Sequence, residues 1–405
     1  MPGRCGSAAI VGGSMAGLYA AAILRRHGWD VDVYERNPVE LAGRGAGIVT
    51  HDAMLHALEA AGLELNGDIG VSVAKRRVYA CDGAVIGEMP FPQTNTSWDR
   101  LFQMLRSAIP EGRYHLGRHI ESAAPHDDGV TLHIAGGGEA QADLVVAADG
   151  FRSTLRGQFL PEVAPIYAGY VAWRGIVDER AFSREAQAAL FDCFAFCLPP
   201  GEQILGYPIA GPGSDVRPGF RRYNFVWYRP ADEEGELRRL LTDDSGKTHD
   251  LSIPPPLIAK AAIKDVIEAA RKTLAPAFAE AVALTPMPFF QPIHDLAAPR
   301  MALGRVALLG DAAFVARPHV GAGVTKAFED GLALAQALAA APDISAGLQA
   351  FERRRLPAGE RIIERARRLG AYLQAQLKTP EERAHAERHL SPDAVMRDTA
   401  TLDFL

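Results

Sequence analysis

Near its N-terminus the chain reads Ala9-Ile10-Val11-Gly12-Gly13-Ser14-Met15-Ala16-Gly17, and no other stretch constrains the architecture as strongly. Residues 7–12 are predicted to form a short buried strand, and residues 14–27 carry apolar side chains at helical spacing. Residues 30–35 predict a second strand, which ends in Glu35. A strand, a glycine turn, a helix and a second strand ending in an acid, about 20 residues after the turn, form the dinucleotide-binding βαβ unit.

The turn after the first strand explains how such a unit binds a nucleotide. Its glycines let the main chain approach a pyrophosphate, and the start of the helix supplies free N–H groups. Glu35 can accept hydrogen bonds from a ribose diol. Ser14 stands where the second glycine of the G-x-G-x-x-G pattern belongs. An ordinary tight turn of an α/β protein is therefore the alternative interpretation of this segment.

Two later motifs each follow an apolar run that predicts a buried strand. They are Ala148-Asp149-Gly150, after residues 144–148, and Gly310-Asp311-Ala312-Ala313, after residues 305–309. An aspartate at such a position lies at the carboxyl edge of the sheet, where open α/β sheets bind ligands. Alternatively, each aspartate only caps the next helix. Three motifs in this order indicate one extended dinucleotide held along one sheet, and we infer that it is FAD.

Two glycine-rich loops are expected near this cofactor. Gly43-Arg44-Gly45-Ala46-Gly47-Ile48 can run close to a ligand because its glycines lack a Cβ atom. Arg317-Pro318-His319-Val320-Gly321-Ala322-Gly323-Val324 leads into a predicted helix. The N–H groups at a glycine-rich helix start stabilise negative charge, and a reduced flavin ring carries such charge.

The order of the predicted elements indicates the α/β class, with a Rossmann-like FAD-binding domain interleaved with a β-sheet substrate domain, plus C-terminal helices. Residues 258–282 are predicted to form one helix, and residues 381–405, which carry no pattern, a loose tail. We expect a discontinuous FAD-binding domain over residues 1–75, 96–165 and 285–345, a substrate domain over 76–95 and 166–284, and a C-terminal helical region and tail over 346–405.

The composition excludes several classes of protein. The chain has 405 residues, of which 48% are hydrophobic and 23% charged, so a sizeable core is expected and disorder is not. A formal net charge of −6 argues against a nucleic-acid partner. No apolar run is long enough to span a bilayer, and no cleavage signal precedes the first strand. The cysteines lack metal-binding spacing, so we expect a cytoplasmic protein without a metal site or a membrane partner.

With its motifs in this order, the chain resembles the class A FAD-dependent aromatic hydroxylases, the group of the para-hydroxybenzoate and salicylate hydroxylases. Within that group it is most similar to the hydroxypyridine hydroxylases. The resemblance covers residues 7–370. The shared marks are Val11-Gly12-Gly13-Ser14, Val31-Asp32-Val33-Tyr34-Glu35-Arg36, Tyr167-Ala168-Gly169-Tyr170-Val171-Ala172-Trp173-Arg174-Gly175, Tyr207-Pro208-Ile209 and Arg317-Pro318-His319.

The resemblance implies that the cofactor is FAD and that NADH or NADPH is the co-substrate. It assigns the pyrophosphate to the turn after the first strand, the adenosine end to the end of the second strand, and the flavin ring to residues 321–324. Two positions depart from the family pattern, since Phe314 replaces a histidine and Trp98 replaces an arginine that contacts the flavin side chain. The cofactor-binding residues expected are Gly12, Gly13, Ser14, Met15, Ala16, Gly17, Glu35, Arg36, Gly45, Ala46, Gly47, Ile120, Asp149, Asp311, Gly321, Ala322, Gly323 and Val324.

The chemistry implied by the resemblance is hydroxylation of an electron-rich, hydroxylated aromatic or N-heteroaromatic ring such as a hydroxypyridine. NAD(P)H reduces the flavin, O2 adds to it as a C4a-hydroperoxide, and the distal oxygen attacks the ring. A base or a proton relay helps a hydroxylated substrate to lose its proton. His319 is the leading candidate, with its side chain expected to face the pocket, and Tyr207, Tyr228 and His51 are weaker ones. For each of these residues the alternative is a packing role alone.

Other functions stay open at this point. An FAD-dependent oxidase or reductase would share the fold but lack the Pro-His-x-Gly-x-Gly loop, and a non-catalytic nucleotide-binding protein would have no use for that loop. The Trp-x-Trp-x-x-Ile segment expected of a halogenase is absent from the sequence. Arg174 either marks the hydroxypyridine subgroup or only braces the fold. The expected partners are a small aromatic or heteroaromatic substrate, O2 and NAD(P)H, and a homodimer is one possible assembly.

Overall fold

The computed structural model describes residues 6–41, 46–65, 69–376, 379–387 and 390–404. In chain order the strands are β1 (Ser7–Val11), β2 (Asp30–Glu35), β3 (Gly47–Val49), β4 (Val71–Tyr79), β5 (Val85–Ser97), β6 (Tyr114–Leu116), β7 (Ile120–His126), β8 (Gly129–Ile134), β9 (Glu139–Ala142), β10 (Leu144–Ala147), β11 (Ile166–Asp178), β12 (Cys193–Cys197), β13 (Gln203–Ile209), β14 (Arg222–Pro230), β15 (Phe289–Ala297), β16 (Ala302–Leu303), β17 (Val306–Leu308) and β18 (Phe314–Val315). The helices are α1 (Met15–Arg26), α2 (Asp52–Ala60), α3 (Trp98–Ser107), α4 (Thr154–Phe159), α5 (Arg184–Leu190), α6 (Arg238–Leu240), α7 (Lys260–Thr273), α8 (Pro276–Leu284), α9 (Gly323–Ala340), α10 (Ile344–Leu369), α11 (Pro380–Ala386) and α12 (Pro392–Asp398).

The first sheet carries the three nucleotide-binding motifs. Its strand order is β16-β17-β10-β1-β2-β6, and all neighbours pair in parallel except β16 and β17. Every residue of β10 is buried, as expected of a parallel strand covered on both faces. The motifs follow β1, β10 and β17, so they meet at the carboxyl edge of one sheet. The predicted α/β class with a Rossmann-like domain is confirmed.

Helix α1 shows why the βαβ unit folds as the sequence predicts. Its apolar side chains recur at helical spacing and pack between the first sheet and α9. Tyr19 of α1 stacks on Phe328 of α9, with the ring centroids 4.6 Å apart. Gly331 leaves room for this stack, because a Cβ atom there would come within 2.8 Å of the Tyr19 ring. The close approach of α9 to α1 holds the third motif against the first.

The second sheet is the platform on which the candidate site is built. Its order is β18-β15-β11-β14-β13-β12-β4-β5-β3, antiparallel throughout except for the pair β12 and β4. Side chains alternate between its faces. On β14, Tyr223, Phe225 and Trp227 enter a core shared with α5, α7 and α8, whereas Val226 and Tyr228 enter the core of the opposite face. The residues of that opposite face reach the candidate site. A small third sheet has the order β7-β8-β9.

The single helix predicted over residues 258–282 is wrong, because the structure has two helices there. Helix α7 ends at Thr273, and α8 begins at Pro276. Proline lacks the N–H that a continuous helix needs, but it is well suited to the first position of a new one. Both helices still cover the outer face of the second sheet.

The loose tail expected after residue 380 is also wrong for residues 391–404. Helix α12 packs against β4 and β5, and a fully buried arginine, Arg76, binds both the last turn of this helix and the residue that follows it. The Arg76 Nη1 atom donates hydrogen bonds to the main-chain carbonyls of Met396 and Thr399, the latter at 2.7 Å. The C-terminal segment is therefore fixed on the second sheet. Within the described part of the chain, no helix has the length and apolar character needed to cross a membrane.

Candidate active site

A cleft of about 300 Å³, here called the dinucleotide cleft, opens at the carboxyl edge of the first sheet. It is bounded by the turn after β1, the end of β2, the start of β7 and the segment after β10. The residues that line it include Gly12, Ser14, Glu35, Arg36, Asn37, Trp98, Ile120, Asp149 and Gly150. Gly13, Met15, Ala16 and Gly17, which were also expected to contact the cofactor, follow Gly12 in the turn and the first turn of α1 but are not among the lining residues. Four segments distant in sequence thus converge on one elongated space.

Two glycines give the cleft its shape. Gly12 has a φ angle of +104°, and a Cβ atom there would overlap the carbonyl oxygen of Ala148. A Cβ atom at Gly17 would overlap the carbonyl oxygen of Gly12. The side chain of Ser14 makes no capping hydrogen bond at the start of α1. The N–H groups of that first helical turn are therefore left without a side-chain cap, which suits a phosphate ligand.

Glu35 holds the turn in place in addition to lining the cleft. Its carboxylate is 5% exposed and accepts hydrogen bonds from the main-chain N–H groups of Gly13 and Asn37, each at 2.9 Å. The Tyr114 hydroxyl donates to the carbonyl oxygen of Gly13 at 2.9 Å. The N–H and the carbonyl of Gly13 are thus both hydrogen-bonded to side chains of neighbouring strands. A ribose diol would have to share the Glu35 carboxylate with the turn.

Asp149 combines the two roles that the sequence left open. One carboxylate oxygen, Oδ2, accepts from the Thr154 N–H at the start of α4, at 2.8 Å. The other, Oδ1, is buried without a hydrogen-bond partner among the described residues. Burial raises the pKa of Asp149 above its usual range. An unpartnered buried oxygen at the wall of the dinucleotide cleft is what a bound nucleotide hydroxyl or amide would satisfy, so the residues present fit FAD.

A buried arginine ties the second motif to the third. Arg156 of α4 is 4% exposed, and its guanidinium donates to the carbonyl oxygens of Phe151, at 2.6 Å, and Ala312, at 3.1 Å. The turn at Gly310 is held from its other side, because its N–H donates to Asp330 Oδ2 at 3.1 Å. The segment that carries Asp311 is therefore fixed relative to the dinucleotide cleft.

A second cavity of about 270 Å³, here called the sheet cavity, lies between the second sheet and the loop of residues 315–324. Asp311 lines it at the end nearest the first sheet. Desolvation by the surrounding protein raises the pKa of Asp311. The side chain is nevertheless exposed toward the cavity. The other lining residues include Gly47, Arg174, Phe194, Leu205, Tyr207, Val226, Tyr228, Arg317, Gly321, Ala322, Gly323, Val324, Thr399 and Ala400.

The loop of residues 315–324 presents its glycines and the start of α9 to the sheet cavity. Gly321 has a left-handed φ of +62°, and no side chain caps α9, which begins at Gly323. A buried ion pair holds the loop from behind, since Arg317 Nη2 lies 2.9 Å from Asp295 Oδ2. The Gly321 N–H donates to the Pro318 carbonyl at 2.9 Å, so Ala322, Gly323 and Val324 are left to offer uncapped N–H groups in the wall of the sheet cavity.

The start of β3, with Ala46 at the end of the preceding loop, closes the other side of the sheet cavity. The Gly47 N–H donates to Asn224 Oδ1 at 2.9 Å, and a Cβ atom at Gly47 would lie 2.5 Å from the Tyr207 ring. The Ala46 carbonyl accepts from the Trp98 N–H at 3.0 Å. Gly45 lies outside the described residues. Gly47 is thus required by the close approach of this loop to β13 and β14.

Tyr207 and Tyr228 both line the sheet cavity. They belong to the face of β13 and β14 that looks toward residues 315–324, and each is almost fully buried. Burial raises the pKa of both phenols. They are therefore neutral hydroxyl groups near neutral pH, suited to hydrogen bonding rather than to accepting a proton.

His319 does not face the sheet cavity, and the expected orientation of its side chain is wrong. The ring is 1% exposed, and its Nε2 atom lies 3.0 Å from the Tyr170 hydroxyl oxygen. It packs against the Tyr228 ring, with centroids 4.2 Å apart. Burial lowers the pKa of His319 to about 3, and the nearby Arg317 charge acts in the same direction. The imidazole is held behind Tyr228, one layer away from the cavity.

His51 also lies outside the sheet cavity. Its Nδ1 atom is 2.9 Å from the Thr325 hydroxyl oxygen, and its Nε2 atom is 3.3 Å from the Ala400 carbonyl oxygen. Burial lowers the pKa of His51 to about 4. It lines a neighbouring groove formed by α2, β5 and the C-terminal segment. The Ala400 N–H donates to the His319 carbonyl at 2.8 Å, so His51 and the C-terminal segment together fix the loop of residues 315–324.

Sequence reasoning underrated two parts of this site. Arg174 lines the sheet cavity, and its position could have been found from the alternation of side chains along β11, where Trp173 enters the opposite core. Thr399 and Ala400 line the sheet cavity as well, and no sequence pattern predicted that they would. Trp98, which replaces the expected arginine, lines the dinucleotide cleft and stacks on Phe102, with centroids 4.9 Å apart. Among the described residues, no cluster of three or more His, Cys, Asp or Glu could hold a metal ion.

Comparison with known proteins agrees with this geometry. Three family descriptions match the chain: an NAD(P)-binding Rossmann-like domain over residues 10–68, an FAD-binding-like domain over 167–295, and an FAD-binding domain over 260–366. The 2,6-dihydroxypyridine 3-monooxygenase of Paenarthrobacter nicotinovorans is 33% identical, covering 90% of this chain and 91% of its own. The 3-amino-4-hydroxybenzoate 2-monooxygenase of Streptomyces cremeus is 31% identical, covering 89% and 86%.

Solved structures give the same result. The 2,6-dihydroxypyridine-3-hydroxylase of Arthrobacter nicotinovorans superimposes with a TM-score of 0.86 at 31% identity, covering 93% of this chain and 94% of its own. HpxO of Klebsiella pneumoniae, solved with FAD and uric acid, shares the fold, with a TM-score of 0.75 at 23% identity over 94% and 93% of the two chains.

The fold and its two cavities define a flavoprotein oxidoreductase, with a nucleotide cleft on a Rossmann-like sheet and a small cavity beside a glycine-rich loop. The chain belongs to the class A FAD-dependent aromatic hydroxylases. It is an FAD-dependent monooxygenase that consumes NAD(P)H and O2, and the resemblance inferred from the sequence is confirmed.

Proposed function

We propose that this monooxygenase hydroxylates a small, hydroxylated N-heteroaromatic ring of the hydroxypyridine type, bound in the sheet cavity. The observation that carries the proposal is the cavity itself. Its volume of about 270 Å³, which the flavin ring would share at residues 321–324, leaves room for no more than a small ring, and its walls combine two neutral phenols with the glycine-rich loop. The relative at 33% identity supports this substrate class, since it is named for 2,6-dihydroxypyridine; the relative at 31% identity, named for 3-amino-4-hydroxybenzoate, supports a small hydroxylated ring only.

When bound, FAD accepts a hydride from NAD(P)H and activates O2. The N–H groups of Ala322, Gly323 and Val324 would stabilise negative charge on the reduced flavin ring. The elongated cleft at Gly12, Glu35 and Asp149 holds the rest of the dinucleotide. Tyr207 and Tyr228 orient the substrate by donating hydrogen bonds from their neutral hydroxyl groups, and the surrounding apolar walls exclude water.

The two histidines take indirect roles in this proposal. His319 positions Tyr228 and the hydroxyl of Tyr170, because its ring contacts both. His51 positions the segment at Ala400. Neither imidazole lines the sheet cavity, and both have a lowered pKa. We therefore assign them positioning roles rather than the role of the catalytic base.

Further features belong to the same proposal. The domain division predicted from the sequence stays a proposal, with a substrate domain formed by residues 76–95 and 166–284, although β3, β15, β18 and the start of β4 also belong to its sheet. A cytoplasmic location is supported by the free thiols of Cys81, Cys193 and Cys197. A homodimer stays a prediction that light scattering coupled to gel filtration can check, and the choice between NADH and NADPH is open to direct assay.

The test is a substrate screen with the purified, FAD-loaded protein. The panel comprises 2,6-dihydroxypyridine, 6-hydroxynicotinate, 3-hydroxybenzoate and 3-amino-4-hydroxybenzoate, each with NADH and with NADPH. The proposal predicts that a hydroxypyridine stimulates nucleotide oxidation and yields a product heavier by one oxygen atom. Hydrogen peroxide formed at the same rate without any ring would instead indicate an oxidase and contradict the proposal.

A further inference from the structure

The side chain of Arg174 faces the sheet cavity, where a bound ligand can contact its guanidinium. It lies in the middle of β11, opposite Val226 of β14 and Phe289 of β15. Its neighbour Trp173 turns to the other face of the sheet and packs against Phe290, with centroids 5.0 Å apart. Arg174 itself lines the sheet cavity. The alternation of side chains along a strand therefore commits this guanidinium to the cavity.

The partly buried guanidinium of Arg174 lacks the acceptors that the buried Arg317 and Arg156 have. Its Nε atom is buried without a hydrogen-bond partner, and within the described part of the chain no carboxylate forms an ion pair with it. By contrast, Arg317 pairs with Asp295 and Arg156 donates to main-chain carbonyls. A buried N–H without an acceptor is unfavourable. A ligand that brings an acceptor oxygen would remove that penalty.

The surroundings of Arg174 favour a negatively charged ligand. The positive charge of Arg174 acts on the buried phenols of Tyr207 and Tyr228, where it opposes the effect of burial on their pKa. Among the described lining residues the sole carboxylate is Asp311, at the end nearest the first sheet, while Arg317 is bound behind the loop by Asp295, which also pairs with Arg367. The end of the sheet cavity at β11 to β14 thus carries one uncompensated positive charge between two hydrogen-bond donors.

We propose that Arg174 binds an anionic oxygen of the ring substrate, so that the enzyme selects the ionised form of its substrate from solution. This inference rests on the proposed function and names the chemical class of the ligand, a small ring carrying an oxyanion. The proton remains in the solvent, since the ring enters already ionised. An ionised ring oxygen makes the ring electron-rich, as the reaction requires, and this explains why neither His319 nor His51 faces the sheet cavity.

The ligand oxygen has two possible sources, a ring hydroxyl or a ring carboxylate, and titration distinguishes them. We would titrate the oxidised, FAD-loaded protein with 2,6-dihydroxypyridine and with benzoate, without NAD(P)H, and follow the flavin absorbance and the heat of binding over a range of pH. For 2,6-dihydroxypyridine we expect the affinity to fall about tenfold per pH unit below the pKa of the free ligand, because only the anion binds. The ultraviolet spectrum of the bound ligand should be that of the ionised form at every pH.

Three variants make the test specific. Arg174→Met should weaken binding of the anion about 10- to 100-fold, as expected for a lost charge-assisted hydrogen bond, and should abolish the dependence on ligand ionisation. Arg174→Lys should restore part of the affinity and the pH profile. The matched control is Arg222→Met, on the same face of β14, since Arg222 also has a buried Nε atom without a partner but does not line the sheet cavity. It should leave the affinity unchanged within about twofold.

The outcomes separate this inference from the proposed function. Unchanged affinity and pH profile in Arg174→Met, with intact FAD content and melting temperature, would overturn the anion site. So would binding of 2,6-dihydroxypyridine as the neutral molecule, even if that ring is hydroxylated. If benzoate binds through Arg174 but no hydroxypyridine of the panel is turned over, the anion site stands, its natural ligand carries a carboxylate, and the proposed substrate class fails.

Discussion

The dinucleotide cleft and the sheet cavity lie in the same molecule but are built from different materials. The cleft is shaped by main chain, since Gly12 and Gly17 remove side chains where peptides of neighbouring segments must touch. The sheet cavity is shaped by side chains that strands β11 to β14 project from one face. The difference teaches that cofactor binding should depend on backbone geometry, whereas choice of the ring should depend on a few replaceable side chains.

The largest effect is expected from a change to the backbone of the cleft. Gly12→Val would add a side chain where a Cβ atom already overlaps the Ala148 carbonyl, at a φ of +104°. Such a conformation alone costs about 1–3 kcal/mol in other residues, and the overlap adds to it. We expect apo-protein carrying this change to have lost FAD binding, measured by quenching of flavin fluorescence.

The control for this change is Gly157→Ala in α4, where nothing lies within 4 Å of an added Cβ atom. It should bind FAD like the wild type. If Gly12→Val also bound FAD normally, the cleft would not owe its shape to the main chain, and the comparison between the two regions would collapse.

A smaller effect is expected from Asp311, which stands between the two regions. Asp311→Ala should weaken FAD about 10- to 100-fold, because a charge-assisted hydrogen bond to the cofactor is lost. Titration of the apo-variant with FAD measures this change. Asp343→Ala is the matched control, since Asp343 caps α10 by accepting from the Ala346 N–H at 2.8 Å. It should lower stability but spare FAD affinity; equal FAD affinities in the two variants would remove Asp311 from the cofactor site.

The buried, neutral His319 behind the sheet cavity should make the free energy of unfolding depend on pH. Burial holds the pKa of His319 at about 3, while in an unfolded chain it is about 6.5. The unfolded chain therefore binds the proton more tightly, so the stability from neutral His319 is complete above about pH 6.5 and is lost as the pH falls toward 3. Between pH 6.5 and pH 5, the free energy of unfolding should fall by about 2 kcal/mol less in His319→Gln than in the wild type.

Urea unfolding at the two pH values measures this difference. His51, whose pKa is lowered to about 4, contributes with the same sign and remains in the variant, so part of the pH dependence should persist. An identical loss of stability in His319→Gln and the wild type would mean that this imidazole is not held neutral within the scaffold.

The smallest effect is expected from a hydroxyl group of the sheet cavity. Tyr228→Phe removes one donor and should raise KM for the ring several-fold, about 1 kcal/mol for a neutral hydrogen bond, while FAD affinity stays unchanged. Steady-state kinetics with a saturating nucleotide measure KM. Tyr79→Phe is the control, because the Tyr79 hydroxyl donates to the Ala189 carbonyl at 2.7 Å, away from the cavity. A loss of FAD in Tyr228→Phe would show that the two regions are not separable.

The difference between the two regions also explains which parts of the structure could be predicted from the sequence. The cleft follows from local rules, since Gly12, Glu35 and the strand-ending Asp149 and Asp311 are fixed by turn and strand geometry. The two helices at residues 260–284 were predicted as one because apolar spacing continues through Pro276, and only its missing N–H breaks the helix.

The sheet cavity was harder to predict because it depends on long-range packing. The orientation of His319 is set by Tyr170 and Tyr228, which lie on other strands. The contribution of Ala400 depends on a buried Arg76 that no local pattern links to the C-terminal segment. The face of β11 on which Arg174 lies could have been predicted from the alternation of side chains. That its Nε atom has no hydrogen-bond partner could be learned only from the structure.

The central claim is that a ring held in the sheet cavity receives one oxygen atom from O2. The most direct measurement is the reaction of the FAD-loaded enzyme with NADH or NADPH and 2,6-dihydroxypyridine under isotopically heavy oxygen, ¹⁸O₂, followed by mass spectrometry. The account predicts a hydroxylated product that carries one heavy oxygen atom, formed in proportion to the nucleotide consumed. An unchanged ring together with stoichiometric heavy hydrogen peroxide would contradict it.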